Sequence, residues 1–181
     1  AEFLEPFTDQ PMSVSLESTT NSRSMYQLLE QYGEQAGVDL TTQVLDARKL
    51  RIIAESVNKS DKVDAQILAE LTRSGLSLPQ CYVPDDEVFA LREHLRHRSD
   101  LVRMRTMLKN RVHALLHRRG IGPPPKLNIF TASGRDWLGQ CELDETGHAL
   151  IDQSMTTIDA IDQQIAHSNH QLDQCAQSQR W

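Results

Sequence analysis

Cysteine is scarce in this chain of 181 residues. Cys81, Cys141 and Cys175 are far apart and odd in number, and no CxxC pair occurs. That excludes a disulfide framework and suits a reducing, cytoplasmic setting. Long apolar runs are missing too. None approaches the ~20 residues that a membrane-spanning helix needs, and no signal peptide is visible, so nothing points to a membrane. Lys and Arg are absent from Cys141 to Gln179, a stretch that holds seven acidic residues. Helix breakers are absent between about Pro84 and Gly120.

What is present is uneven. Arg92 to Arg119 holds nine basic residues against Glu93 and Asp100, although the whole chain carries a formal charge of −6. Such asymmetry says more about partners than the total does. A basic and an acidic helix joined by a turn would attract each other as an antiparallel hairpin. Arginines all round a helix also exceed what one partner helix neutralises, so some of them can face nucleic acid. Both readings stand on composition alone.

The first half of the chain has α/β grammar. Met12, Val14 and Leu16 alternate with polar residues, giving a strand with Glu17 at its carboxyl end. Asn21 or Ser22 caps a helix through Met25, Leu28, Leu29 and Tyr32 that stops near Gly37. LTTQVL, residues 40–45, reads as a second strand, and ARKLRIIAES as a short basic helix or loop. Asn58 or Ser60 caps the next helix, ending near Gly75 and holding Val63, Ile67, Leu68 and Leu71 on one face.

The second half is helical. Two seven-residue seams, Val88–Leu95–Val102 and Leu101–Leu108–Leu115, form one broad apolar stripe. GIGPPP, residues 120–125, stops that helix. Trp137 in GRDWL reads as a core anchor. From about Asp144 a second long helix carries Ile151, Ile158, Ile165 and Leu172, with Asp162 and Asn169 interrupting its companion seam. This is the patterning of an antiparallel coiled coil. The expected domains are residues 1–80 and 81–181.

Candidate chemistry centres on Asp61 and Asp64. At i and i+3 they share one helix face and can hold a hard cation such as Mg²⁺ between them. Acids in a first turn also simply complement the helix dipole. Glu17, at a strand's carboxyl end, sits where open α/β sheets place ligands. His94 with His97, and His113 with His117, have ligand-like spacing but no third partner.

Three words taken together are more specific: VSLESTTNSRSMYQLLEQYG, KSDKVDAQILAELTRSG and YVPDDEVFALREHLRHRSDLVRMRTMLKNRVHALLHRRG. They resemble the DEDD transposases of the 110-type insertion sequences over roughly residues 10 to 120. The resemblance implies a partial RuvC-like, ribonuclease-H-type domain followed by a long antiparallel coiled-coil hairpin. It implies cleavage and joining of DNA strands at an acidic site holding Mg²⁺ or Mn²⁺. Glu17 takes the place of the family's glutamate, and Asp61 and Asp64 those of its last two aspartates.

The family's first aspartate lies in a G-I-D-type word that this chain does not contain, and Asp9 is no substitute, standing in a loop before the strand. The family's serine-bearing C-terminal domain has no counterpart either. With AEFLEP at one end and QSQRW at the other, the expectation is a fragment of a larger protein, inactive by itself. The implied partners are DNA, a guide RNA, and further copies of the chain through the coiled coil. Arg48, Lys49, Arg51, Lys59, Lys62, Arg103, Arg105, Lys109 and Arg111 are the candidates for nucleic-acid backbones. The alternatives are a non-catalytic nucleic-acid-binding module and a coiled-coil assembly element.

Overall fold

The computed structural model describes residues 4–46, 48–50 and 61–178. The chain divides into two compact units, Ala1–Asp85 and Asp86–Trp181.

In the first unit a short 3-10 turn, Glu5–Phe7, precedes strand β1, Met12–Glu17. Helix α1, Ser22–Ala36, leads to strand β2, Leu40–Leu45. The two strands pair in parallel, from Met12 opposite Leu40 to Glu17 opposite Leu45. Period-2 alternation gives the sheet two faces. Val14 and Leu16 line an apolar cleft with Met25, Leu28 and Leu29 of α1. Ser15, Gln43 and Leu45 face helix α2, Asp61–Arg73, on the other side. Asn21 is the residue before α1, but its side chain makes no capping bond; Ser24 Oγ instead donates to the Asn21 carbonyl. Gly37 ends the helix at φ +64°, a left-handed turn that glycine takes at little cost. Of the basic segment after β2, only Arg48 to Leu50 is described, as a turn with Leu50 buried.

The outer edge of β2 is covered, since Asp46 N–H donates to the Pro79 carbonyl and Cys81 N–H to that of Val44. The outer edge of β1 has no strand beside it among the described residues. Met12 and Ser18 donate toward β2, so alternation turns the backbone groups of Ser13, Ser15 and Glu17 to that free edge.

The second unit holds α3, Asp86–His117; α4, Ala132–Gly139; and α5, Glu145–Ser178. Arg98 bonds Asn169, Arg105 bonds Asp162 and Arg119 bonds Asp144. As one number rises the other falls, so α3 and α5 run antiparallel. Their core is Val112, Leu115, Leu116, Ile151, Met155 and Ile158, closed off by Ile129 and Leu138. Trp137 packs against it. Further along, Leu101 and Ile165 are also buried.

The expected second seam is only partly covered: Val88 and Val102 are half-buried, and Leu95 is 47% exposed. α5 is the helix that packs along α3, and one helix covers one seam.

Local chemistry fixes the junctions. α3 ends before Gly120, which has φ +70°. Thr131 Oγ1 accepts the Gly134 N–H at the start of α4. A Cβ on Gly134 would stand 2.2 Å from the Asn128 carbonyl oxygen and 2.4 Å from Ile129 Cα, so only glycine fits there. Asp144 Oδ1 accepts the Gly147 N–H at the start of α5 and also bonds Arg119 Nε. Among the described residues no helix is long and apolar enough to cross a membrane.

Candidate functional site

The position of α2 on the sheet decides where its aspartates lie. A chain of side-chain hydrogen bonds docks it: Gln80 Nε2 donates to Gln43 Oε1, Gln43 Nε2 donates to Ser15 Oγ, and Ser15 bonds Thr72. Thr72 Oγ1 spends its own proton on the Leu68 carbonyl, so the Ser15 hydroxyl is the donor to Thr72. Leu68, one turn earlier in α2, packs on Leu45 and Leu50.

These contacts give the helix a direction. Thr72 meets the sheet at the Ser15–Gln43 row, and Leu68 meets it at the Glu17–Leu45 row. Going back along α2 is therefore going forward along the strands. One further turn back from Leu68, on the same face, is Asp64. The start of α2 thus lies toward the carboxyl ends of β1 and β2, where Glu17 stands.

Asp64 is half-buried, and its Oδ1 is sealed from solvent with no hydrogen-bond partner among the described residues. A buried carboxylate oxygen without a partner is costly. Asp61, in the same first turn, is exposed, as is Glu17. Among the described residues no three His, Cys, Asp or Glu side chains stand close enough together to hold a metal ion, so Glu17, Asp61 and Asp64 share one end of the sheet without forming a closed cluster.

Asp46, the first residue after β2, is a further acid at the end of a strand. It is already engaged, accepting the Arg48 N–H at Oδ1 and lying 3.9 Å from Lys49 Nζ at Oδ2. An aspartate that caps the turn after a strand is a structural signal and leaves no mark in spacing.

The model of a transposase family of the IS110 DEDD type matches residues 3–120. The chain belongs to that family. A search of curated proteins gave no match. Membership makes this transposase, in general terms, a protein of DNA strand cleavage and transfer, of a family that typically uses divalent metal.

Its basic residues sort by their surroundings. Arg48 and Lys49 are exposed in the turn after β2, and Lys62 is exposed beside Asp61. Arg51 and Lys59 lie outside the described residues. In the second unit, Arg105 is committed to Asp162 at 2.7 Å, and Lys109 Nζ sits 4.8 Å over the Phe130 ring. Arg103 and Arg111 are exposed.

Two carboxylates of the second unit are shifted by arginine partners. Arg135 of α4 grips both carboxylate oxygens of Asp159. That hydrogen bonding, with the guanidinium charge, holds Asp159 below the usual carboxylate range against the effect of burial, and raises Arg135. Arg119 does the same to Asp144. His94 and His97 are joined by no third ligand among the described residues, and His113 meets Phe130 edge-on.

Proposed function

We propose that the first unit is part of a RuvC-like catalytic domain in which Glu17, Asp61 and Asp64 supply three of four carboxylates of a divalent-metal site for DNA cleavage and joining. The single observation that carries this reading is Asp64 Oδ1, buried and unpartnered at the carboxyl end of a parallel sheet. A neutralising cation removes the cost of that oxygen. The donor set also fits, since Mg²⁺ and Mn²⁺ take hard oxygen ligands. When bound, such ions stabilise the charge that develops on a phosphodiester as it is cut.

The residues around the acids have their own parts. Lys62, Arg48 and Lys49, all exposed near this end of the sheet, hold the phosphate backbone of DNA or of a guide RNA. The Ser15–Thr72 bond and the Leu68–Leu45 contact fix the direction in which Asp64 is presented. The free edge of β1 is the place for a further strand, the one on which the family carries its first aspartate. A fourth carboxylate on that strand would complete the site, since three carboxylates hold such a metal more weakly than four. The antiparallel α3–α5 pair is read as a coiled-coil hairpin that joins copies of the protein.

The test is a Mn²⁺ titration followed by electron paramagnetic resonance of the free ion. One or two weak sites are expected, lost in Asp64→Asn and weakened in Glu17→Gln. Binding of equal strength in all three proteins rejects the site.

A further inference from the structure

We propose that the outward face of α3, with Arg118 just past its end, is a track for the phosphate backbone of duplex DNA, built from Arg96, Arg103, Arg111 and Arg118, whose N–H still bonds the Ala114 carbonyl in the helical pattern. These four are separated by seven, eight and seven residues and all are exposed. At ~100° and ~1.5 Å per residue they fall within an arc of roughly 80° and span about 33 Å, in steps of about 11 Å. The arc is centred roughly 130° from the buried side of the helix, formed by Leu101, Val112, Leu115 and Leu116.

The structure separates this row from the other cations of α3. Arg98 and Arg105 reach across to Asn169 and Asp162 of α5, Arg119, just after α3, reaches Asp144, just before α5, and Lys109 covers Phe130. Those side chains are engaged within the unit. In the outer row, Arg111 and Arg118 have no acidic partner among the described residues. Arg96 and Arg103 meet only Glu93 and Asp100 of their own helix, at 2.6 and 3.2 Å, with more than half of each side chain in solvent. Such exposed pairs are weak and exchange readily for phosphate.

Shape and composition choose the occupant. A straight row of like charges about as long as one turn of B-DNA matches a rigid polyanion. Recognition of single strands relies on aromatic platforms, and α3 has one Phe, Tyr or Trp, the half-buried Phe89, seven residues before Arg96, with none between Arg96 and Arg118. A second protein copy would need an apolar centre, and the row offers only the neighbouring Met104 and Met107. The proposal rests on the reading of the chain as a DNA-handling protein, but not on its acidic site.

The experiment is fluorescence anisotropy of the full chain with a labelled duplex of arbitrary sequence, in EDTA, between about 50 and 200 mM salt. Each phosphate contact adds about 0.9 to the slope of log affinity against log salt. The Arg103→Gln, Arg111→Gln, Arg118→Gln triple variant should therefore lose about 2–3 units of slope with its melting temperature unchanged. Arg105→Gln should do the reverse, lowering the melting temperature and keeping the slope. An unchanged slope in the triple variant overturns the proposal. So does tighter binding of single-stranded DNA or duplex RNA than of duplex DNA. So does light scattering that shows an oligomer which the triple variant dissociates while duplex binding persists. EDTA removes divalent metal, and Asp64→Asn should leave this binding untouched, so failure of the acidic site and failure of the track are read separately.

Discussion

Replacing Ile158 by alanine measures what holds the second unit together. Ile158 is 1% exposed, among Val112, Leu115, Leu116, Ile151 and Met155. Truncating such a side chain costs about 2–5 kcal/mol, because the cavity it leaves adds to the lost transfer energy. The neighbouring residue, Asp159, makes the bidentate pair with Arg135, but the two side chains are 48% and 38% exposed. Solvent screens a pair so placed to at most about 1 kcal/mol. Alanine also suits a helix interior better than aspartate by several tenths of a kcal/mol, which offsets part of that loss. At about 4–8 °C per kcal/mol for a unit of this size, Ile158→Ala should melt at least ~8 °C lower and Asp159→Ala within ~4 °C of the parent. Both tryptophans, Trp137 and Trp181, belong to this unit, so tryptophan fluorescence follows its unfolding. Salt at about 1 M should change the midpoint little, because it screens charges and not burial. If Asp159→Ala is the more damaging, or if salt melts the unit, charge rather than the apolar seam holds it and the reasoning fails.

Other outcomes follow from single contacts. Gly134→Ala should destabilise the second unit by about 1–3 kcal/mol, since its Cβ would overlap backbone; an unchanged melting temperature by tryptophan fluorescence would contradict the packing of α4. The lowered values of Asp159 and Asp144 contribute stability that is fully present above the ordinary carboxylate value of about 3.9 and is lost as pH falls through the lower folded values. The melting temperature should thus be flat between about pH 5 and 7 and fall below about pH 4. Asp159→Asn should make that fall shallower, and an unchanged fall would contradict the role of the Arg135 pair. In metal-free buffer Asp64→Ala should stabilise the first unit, because it removes a buried unpartnered oxygen; a lower melting temperature by circular dichroism would show that Asp64 has a partner and contradict its reading as a waiting ligand.

Periodic features were readable in the sequence. The alternation of Met12, Val14 and Leu16 marks β1 to the residue, and LTTQVL marks β2. The glycine and proline stop after α3, and the apolar spacing of α3 and α5, mark both long helices. Features that depend on what meets what in three dimensions were not readable. Nothing in the spacing of Arg135 and Asp159 announces their pair, and the exposure of Leu95 follows only from α5 covering a single seam. Asn21 has the right residue type for a cap and does not make the bond. The site was half legible: type and spacing singled out Asp61 and Asp64, but the direction of α2, which carries them toward Glu17, comes from the Thr72–Ser15 and Leu68–Leu45 contacts.

The central claim is that Glu17, Asp61 and Asp64 serve one metal site. An anomalous difference map from crystals grown with Mn²⁺ tests it most directly. Manganese peaks are expected at the carboxyl ends of β1 and β2, with oxygens of Asp64 and at least one of Glu17 and Asp61 about 2.0–2.3 Å from the ion, spanning the Mg²⁺ range up to the lower limit for Ca²⁺. Manganese bound elsewhere, or Glu17 turned to the opposite side of the sheet from Asp64, would contradict it.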